Sequence, residues 1–441
     1  MKTETQPRLR FPEFQNAGEW EPRSLGSVCS SFSGGTPSTS QPEYYGGDIP
    51  FIRSAEIARD RTELFLTGTG LSNSAAKIVA RGDVLVALYG ANSGDVAIAR
   101  IDGAINQAIL CLKSKESNAF IYQFLSSKKD WVVATYIQGG QGNLSGEIVK
   151  SISVCFPSPA EQQKIAECLS SVDELMAAQA RKVDALKTHK KGLMQQLFPR
   201  RNENSELRSE AKKIKNIEER SEKISESFSI QNSNFSIPPL RFPEFQNAGE
   251  WEDQSIGDFG KVVTGSTPST AQPAFYGGGI PFASPADISD MRYVDQTKTT
   301  LTAEGFAETR HVRAGSVLFV CIGSTIGKAA QNVHDCATNQ QINAVVPSSK
   351  HSDGFVYFAL SFASERIALL AGRQAVPIIN KSLFSSVRIL APTLPEQNRI
   401  ASCLTSLDAL ITAETQKHEA LKTHKRGLMQ QLFPSPEEVE A

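Results

Sequence analysis

The sequence predicts an α+β fold built by internal tandem duplication, with two globular α/β domains separated by two long antiparallel helices that form a coiled coil. Three observations lead there. The string LRFPEFQNAGEWE at 9–21 returns letter for letter at 240–252, which chance does not produce, so a repeat has to be read before any fold. ALKTHKKGLMQQLFP at 185–199 returns at 420–434 with one substitution. Between these near-identical ends, about 130 residues of each half keep only turn signals and short apolar runs.

Taken in order, the elements divide the chain into a first α/β domain at 1–157, a helix at 158–199, a charged linker at 200–239, a second α/β domain at 240–392, a second helix at 393–434 and a tail at 435–441. GTPSTSQPEYYGGDIPF at 35–51 aligns with STPSTAQPAFYGGGIPF at 266–282, GDVLVALYG at 82–90 with GSVLFVCIG at 315–323, and Asn106-Gln107 with Asn339-Gln340. The spacing between matches grows from 231 to 235 residues, as small loop insertions would make it. VLVALY at 84–89 and SVLFVCI at 316–322 read as strands between Gly, Asn and Ser turns, and single helices fit 118–136 and 353–371.

Each long helix opens on a Ser/Thr-x-x-Glu pattern, Ser158 to Glu161 and Thr393 to Glu396, which predicts a capping box. Pro199 and Pro434 end them. Roughly forty residues give about 60 Å of helix. Alternate steps of four and three pick out Ile165, Leu169, Val172, Met176, Gln179, Val183, Leu186 and Lys190 in the first helix, continuing through Leu193 and Leu197. The second gives Ile400, Leu404, Leu407, Ile411, Glu414, His418, Leu421, Lys425, Leu428 and Leu432. This is a coiled-coil seam, and its natural partner is the equivalent seam of the other half. Gly192 and Gly427 interrupt both helices at about 1 kcal/mol each, as a close crossing or an approaching subunit would require.

Composition narrows the function. With 40% hydrophobic and 21% charged residues the chain is ordinary globular protein, and no apolar run approaches the length of a bilayer span. We expect a cytoplasmic protein without a membrane contact. Seven cysteines with no Cys-x-x-Cys pair argue against a disulfide framework or zinc ribbon, and Cys168 and Cys403 read as small core residues. A net charge of −1 means that, if nucleic acid is the ligand, a partner supplies much of the electrostatics. The linker segment 200–236 mixes both signs and reads as a solvated helix frayed into a linker.

A catalytic centre is missing from the pattern. GQGNLSG at 140–146 lacks the spacing of a dinucleotide loop, and GSTIGK at 323–328 has too short a glycine gap and Ala329 where a Walker loop needs Ser or Thr. The six histidines form no metal-binding pair, so no metal is expected, and His189 and His424 read as helix-surface residues. No Asp/Asn-Pro-Pro-aromatic motif is present.

The order of the pieces is the specific signal. Glu19-Trp20-Glu21 with Leu25-Gly26, the GG-TPST turn, GG-IPF before RSAEI or ASPADI, the GD/SVL strand, the Asn-Gln pair and P-EQ opening the helix recur in both halves. In this the chain resembles, over nearly its whole length, the specificity (S) subunits of Type I restriction-modification systems. The resemblance implies a non-catalytic subunit that recognises double-stranded DNA. Each target-recognition domain would read one half of an asymmetric bipartite site, and the helices would separate the domains and bind two methyltransferase subunits. Optional restriction/translocase subunits complete such complexes. No cofactor is then expected on this chain; S-adenosylmethionine belongs to the methyltransferase, and ATP and magnesium to the restriction partner. A helix of ~60 Å spans somewhat under two DNA turns, which places the half-sites about one turn apart.

Candidate DNA-binding residues are the polar side chains of Gly-rich loops at matching places in the two domains. They are Arg53, Ser54, Glu56, Tyr89, Asn92, Ser93, Gln138, Gln141 and Asn143 in the first. In the second they are Ser284, Asp287, Ser324, Thr325, Lys328, Arg373, Gln374, Asn380 and Lys381. Arg, Asn and Gln can pair bidentately with purine edges, and Lys and Ser reach bases or phosphates. Two other classes stay open on the residues alone: a duplicated adaptor for protein or glycan ligands, which would show no DNA affinity, and a self-contained DNA enzyme, which would need a site not found here.

Overall fold

The computed structural model describes residues 6–136, 143–199, 237–372 and 377–434, so the linker segment 200–236 and the tail at 435–441 lie outside the described residues. Two helices of 39 residues, Pro159–Leu197 and Leu394–Leu432, dominate it. The chain forms two compact units: the first takes the sequence up to Arg181 and again from Thr415, and the second runs Lys182–Glu414. Each unit therefore holds one α/β module, the start of the helix that follows it, and the end of the other helix.

In the first unit a four-stranded antiparallel sheet has the order Cys29–Ser33, Ile109–Ser114, Val84–Ala87, Val96–Ile98. A mixed sheet follows the order Leu64–Leu66, Tyr45–Ile52, Gly103–Ile105, Lys77–Val79. Glu21–Ser24 and Ser153–Phe156 form a two-stranded ribbon. Val84–Ala87 is apolar at every position because both of its faces are covered. Val84 and Val86 pack with Phe120 and Ile121 of the helix Asn118–Tyr136. Leu85 and Ala87 pack with Ile52 and Val79 from the mixed sheet.

The second unit repeats the plan with two changes: its mixed sheet has three strands, in the order Thr299–Leu301, Tyr276–Ala283, Ala337–Thr338, and its other sheet gains one. Its antiparallel strands Gly260–Thr264, Ile342–Pro347, Val317–Val320 and Ala329–Asn332 gain a fifth, Tyr293–Val294, parallel to the last. The helical stretch at 353–371 is not one helix but Asp353–Phe362, Ser364–Ala368 and a turn at Leu369–Ala371, with a bend of 61°. The bend returns Ile367 to the core that Phe355 and Phe358 occupy.

The repeated letters mark where each module receives a helix end. In the first unit Phe433 meets Phe120 and Phe124, each with ring centroids 5.6 Å away. In the second, Phe198 meets Trp251 at 6.1 Å and Phe362 at 5.2 Å. The Leu9 and Leu240 amides donate to the Gln431 and Gln196 carbonyls, both at 2.9 Å. One motif, GLMQQLFP, thus fills the same slot in both units.

The capping boxes take a different form from the one predicted. Ser158 Oγ accepts from the Glu161 amide at only 3.4 Å, and the buried carboxylate turns to Arg10, whose Nε and Nη2 donate at 2.7 and 2.8 Å. Arg241 makes the same fork to buried Glu396 at 2.8 and 2.7 Å, joined by Trp251 Nε1 at 3.3 Å. A bidentate arginine offers a carboxylate stronger, charge-assisted bonds than one backbone amide does. The opening segment and the P-EQ motif are therefore two halves of one clamp.

Within each unit the helix segments pair side by side. In the second, Lys182 reaches Glu414 and Lys190 reaches Asp408, each at 2.5 Å, so residue numbers rise along one helix as they fall along the other and the pairing is antiparallel. Asp173 receives Lys425 at 2.7 Å in the first, the same pair by repeat position. Ile165, Leu169, Val172, Val183, Ile400, Leu404 and Ile411 are buried, and Met176, Leu186, Leu407, Leu421 and Leu428 half-buried. Cys168 and Cys403 are half-buried on the helices rather than in the core, because they flank the seam instead of lying on it. A Cβ added at Gly192 or Gly427 would meet nothing within 4 Å, so neither glycine marks a close crossing within its unit.

Candidate nucleic-acid interface

Two hairpin loops occupy equivalent places. In the first unit, 88–95 joins Val84–Ala87 to Val96–Ile98 and turns on Gly90 and Gly94, with φ of 79° and 85°, a left-handed backbone that other residues rarely adopt. Ser93 Oγ donates to the Leu88 carbonyl at 2.9 Å, which pins the turn. The Leu144 amide also donates to Leu88 at 2.9 Å, and Leu144 is buried, so exposed Asn143 is held alongside. Tyr89, Asn92, Ser93 and Asn143 are thus brought together, with Tyr89 exposed at the tip.

The second unit builds the same arrangement from other letters. The loop 321–328 turns on Gly323 and Gly327, with φ of 97° and 95°. The Gly323 amide donates to the Pro377 carbonyl at 3.1 Å and the Ile379 amide to Cys321 at 2.9 Å, with Ile379 buried where the first unit has Leu144. Asn380 Oδ1 then accepts from the Leu383 amide at 2.8 Å and caps the helix Lys381–Ser386, as Ser145 caps Gly146–Ser151. Ser324, Thr325, Lys328, Asn380 and Lys381 gather here, with Ser324, Lys328, Asn380 and Lys381 exposed. Gln138, Gln141, Arg373 and Gln374 lie outside the described residues.

The remaining candidates sit on the turn after the strands Tyr45–Ile52 and Tyr276–Ala283, and their bonds run inward. Glu56, 2% exposed, accepts from Arg53 Nε at 3.0 Å, Arg53 Nη2 at 3.1 Å, Thr62 Oγ1 at 3.2 Å and the Glu63 amide at 3.2 Å. Burial pushes its carboxyl up, but the Arg53 guanidinium and the backbone amides of Glu63 and Arg53, the latter at 3.2 Å, outweigh burial and hold it down at about 2. Half-buried Arg53 also reaches Glu63 at 2.6 Å, and Ser54 is half-buried in the turn itself. In the second unit Asp287 accepts from the Ser284 amide and hydroxyl at 2.9 and 2.7 Å and from the Lys298 amide at 2.8 Å. Glu56 and Asp287 hold the two turns in shape. Ile57 and Ile288, the next residues, are buried with the hairpin strands and set each turn beside its hairpin.

Several residues of this surface escaped the sequence reading. Exposed Arg59 and Arg61 lie on the first turn. The second turn is four residues longer, since Phe51 pairs with Leu64 but Phe282 with Thr299. The extra length carries Asp290 and Arg292. The local jump in repeat spacing was the available signal. Among the described residues no group of three His, Cys, Asp or Glu could hold a metal ion, and no single helix is long and apolar enough to cross a membrane.

Two divergent modules with matched loops on identical frames find their counterpart among known proteins. A family model described as Type I restriction modification DNA specificity domain matches residues 17–188 and again 248–423. The chain belongs to this family. It is a Type I specificity subunit with two target-recognition domains, and the adaptor reading is not favoured. The MjaIX specificity subunit of Methanocaldococcus jannaschii is 23% identical over 94% of this chain and 92% of that protein. The HindI specificity subunit of Haemophilus influenzae is 30% identical over 148 residues, 32% of each chain. The EcoR124I/EcoR124II specificity subunit of Escherichia coli is 28% identical over 43% of this chain and 50% of that one. The S subunit structure from M. genitalium covers 98% of this chain and all of its own, with a TM-score of 0.59 at 15% identity, a likeness of fold. A structure described as the basis of complex assembly and conformational transition of the type I R-M system aligns over 94% of this chain and 98% of its own, with a TM-score of 0.53 at 16% identity.

Proposed function

We propose that this specificity subunit reads an asymmetric, bipartite double-stranded DNA site, one half-site per target-recognition domain, and has no catalysis of its own. The observation that carries this reading is the pair of hairpin loop sets, equivalent in backbone but different in side chains, each on a module whose frame is held constant. Arg59 and Arg61 join the first set as phosphate contacts, which position without specifying. Glu56 and Asp287 act as supports of the turns rather than as readers.

The helices present two methyltransferase subunits to the DNA. Leu175 and Leu410 occupy the same repeat position and are 57% and 43% exposed, and the open Gly192 and Gly427 leave room for an approaching chain. Partners that enclose the duplex would also supply the positive charge that a net −1 protein lacks. S-adenosylmethionine would enter with the methyltransferase, and ATP and magnesium with optional restriction subunits.

The test is modular exchange. Replacing 22–157 with the corresponding segment of another specificity subunit, in a complex with its methyltransferase, is expected to alter one half of the methylated motif and leave the other. Alteration of both halves, or of neither, would refute the assignment of one half-site to each domain.

A further inference from the structure

The longer turn of the second module is anchored by one buried arginine. Arg292 is 7% exposed; it donates Nε and Nη2 to Gln331 Oε1 at 3.0 and 2.8 Å and Nη1 to Thr405 Oγ1 at 2.7 Å. Its guanidinium lies 4.7, 5.0 and 4.6 Å from the ring centres of Tyr293, Tyr357 and Phe358. Gln331 belongs to the strand Ala329–Asn332, which starts immediately after Lys328, and Thr405 to the long helix. Burying an arginine is unfavourable unless its donors are satisfied, and here neutral acceptors and the aromatic rings do that, with Asp408 Oδ2 3.9 Å from Nη1 adding a longer-range attraction. The result is a rigid brace joining the turn, the hairpin and the helix.

What the brace presents is one exposed charge pair. Asp290 Oδ1 lies 3.9 Å from Lys328 Nζ, with side chains 98% and 43% exposed. At that distance and exposure the pair contributes little to stability. It borders a 420 Å³ recess between the turn, the loop and Tyr357, Ser361 and Glu365. An ammonium donor and a carboxylate acceptor side by side match the major-groove edge of one base pair. Guanine offers O6 and N7 as acceptors and cytosine offers N4–H as a donor. Within the pair O6 and N4 are themselves one hydrogen bond apart, about 2.9 Å. An A·T edge also sets an acceptor, thymine O4, beside a donor, adenine N6–H, but the thymine C5-methyl flanks that acceptor, whereas guanine flanks O6 with a second acceptor, N7, that the same ammonium can share.

We infer that Lys328 and Asp290 together read a single G·C base pair in the half-site of the second domain, Lys328 on guanine and Asp290 on cytosine, with Arg292 as the positioning residue beneath them. This rests on the proposed DNA-reading role of the hairpin loops. Among the described residues the first module shows no equivalent pair between its shorter turn and its hairpin loop, so the feature is assigned to one half-site only.

The test is a methylation map of the complete complex in its host with the wild-type chain, Lys328→Ala, Asp290→Ala and a control, Asn143→Ala, in the first domain. Both second-domain side chains are exposed, so their loss leaves the fold intact. Wild type is expected to require G·C at a position that both Lys328→Ala and Asp290→Ala relax, each by on the order of 10-fold in discrimination. The other half-site should stay unchanged. Relaxation at different positions, no effect of either variant, or a second half-site without a required G·C pair would overturn the inference while Asn143→Ala still alters the first half-site. If a transplanted module also leaves the motif unchanged, the DNA-reading assignment itself fails.

Discussion

Removing Arg241 should destabilise the second unit selectively. Its side chain is 7% exposed and that of Glu396 1%, and the two make a two-bond fork deep at the base of the long helix. In Arg241→Met, Glu396 keeps only the 3.3 Å bond from Trp251 and remains a buried charge. Deleting one partner of such a pair costs about 3–5 kcal/mol, because the desolvated survivor has lost its compensation. A unit of this size loses roughly 2–4 °C in Tm per kcal/mol, so the expected drop is about 6–20 °C. Arg10→Met should do the same to the first unit, where Glu161 is left behind. Calorimetry of the full chain, with amide hydrogen exchange to locate the loss, reads both effects. The double variant Arg241→Met with Glu396→Gln should recover much of the stability, since it removes the orphaned charge as well. The reasoning is refuted if Arg241→Met shifts Tm by less than about 2 °C, or if both single variants destabilise the same unit.

Other expectations follow from the same contacts. Phe433→Ala lies at the C-terminal end of the chain yet should destabilise the first unit by about 3–5 kcal/mol, visible as lost exchange protection in residues 118–136 while 353–362 is unaffected. The Glu56 carboxyl is held near 2, below its ordinary 4.5, so the stability it lends the first turn is complete above about pH 4.5 and disappears as pH falls through 2. NMR titration followed at the Glu56 carboxyl carbon should show no transition at pH 4–5 in wild type, and Glu56→Gln should abolish the acid-dependent loss of stability. Burial pushes the thiols of Cys111, Cys321 and Cys336 up to about 12, with Asp83 adding to the effect at Cys111, so iodoacetamide at pH 8 should leave all three unmodified in the native protein.

Much of the architecture could be read from letters alone because the duplication repeats the informative ones. The 39-residue helices, their seam and their ends follow from periodicity and Pro199 and Pro434. The apolar runs at Val84–Ala87 and Val317–Val320 announce strands covered on both faces. What a single sequence hides is partner choice. Ser158 and Glu161 form a capping box by pattern, yet Arg10, 151 residues earlier, takes the carboxylate. Lys190 and Lys425 read as flaws in an apolar seam until Asp408 and Asp173 face them. The interface shows the same limit. The glycines that shape both hairpins are visible in the sequence, but whether a polar side chain turns outward like Tyr89 or inward like Glu56 depends on neighbours distant in the chain. Arg292 lay unnoticed for the same reason, since its partners Gln331 and Thr405 come from two other elements.

The central claim, that this chain chooses where a methyltransferase acts, is tested most directly by mapping N6-methyladenine across the host genome with the gene intact and deleted. The account predicts that one split motif, a few defined bases on each side of an unspecified gap, loses its methylation with the gene and regains it on complementation. A map that is identical in both strains while the methyltransferase is expressed and active would contradict it.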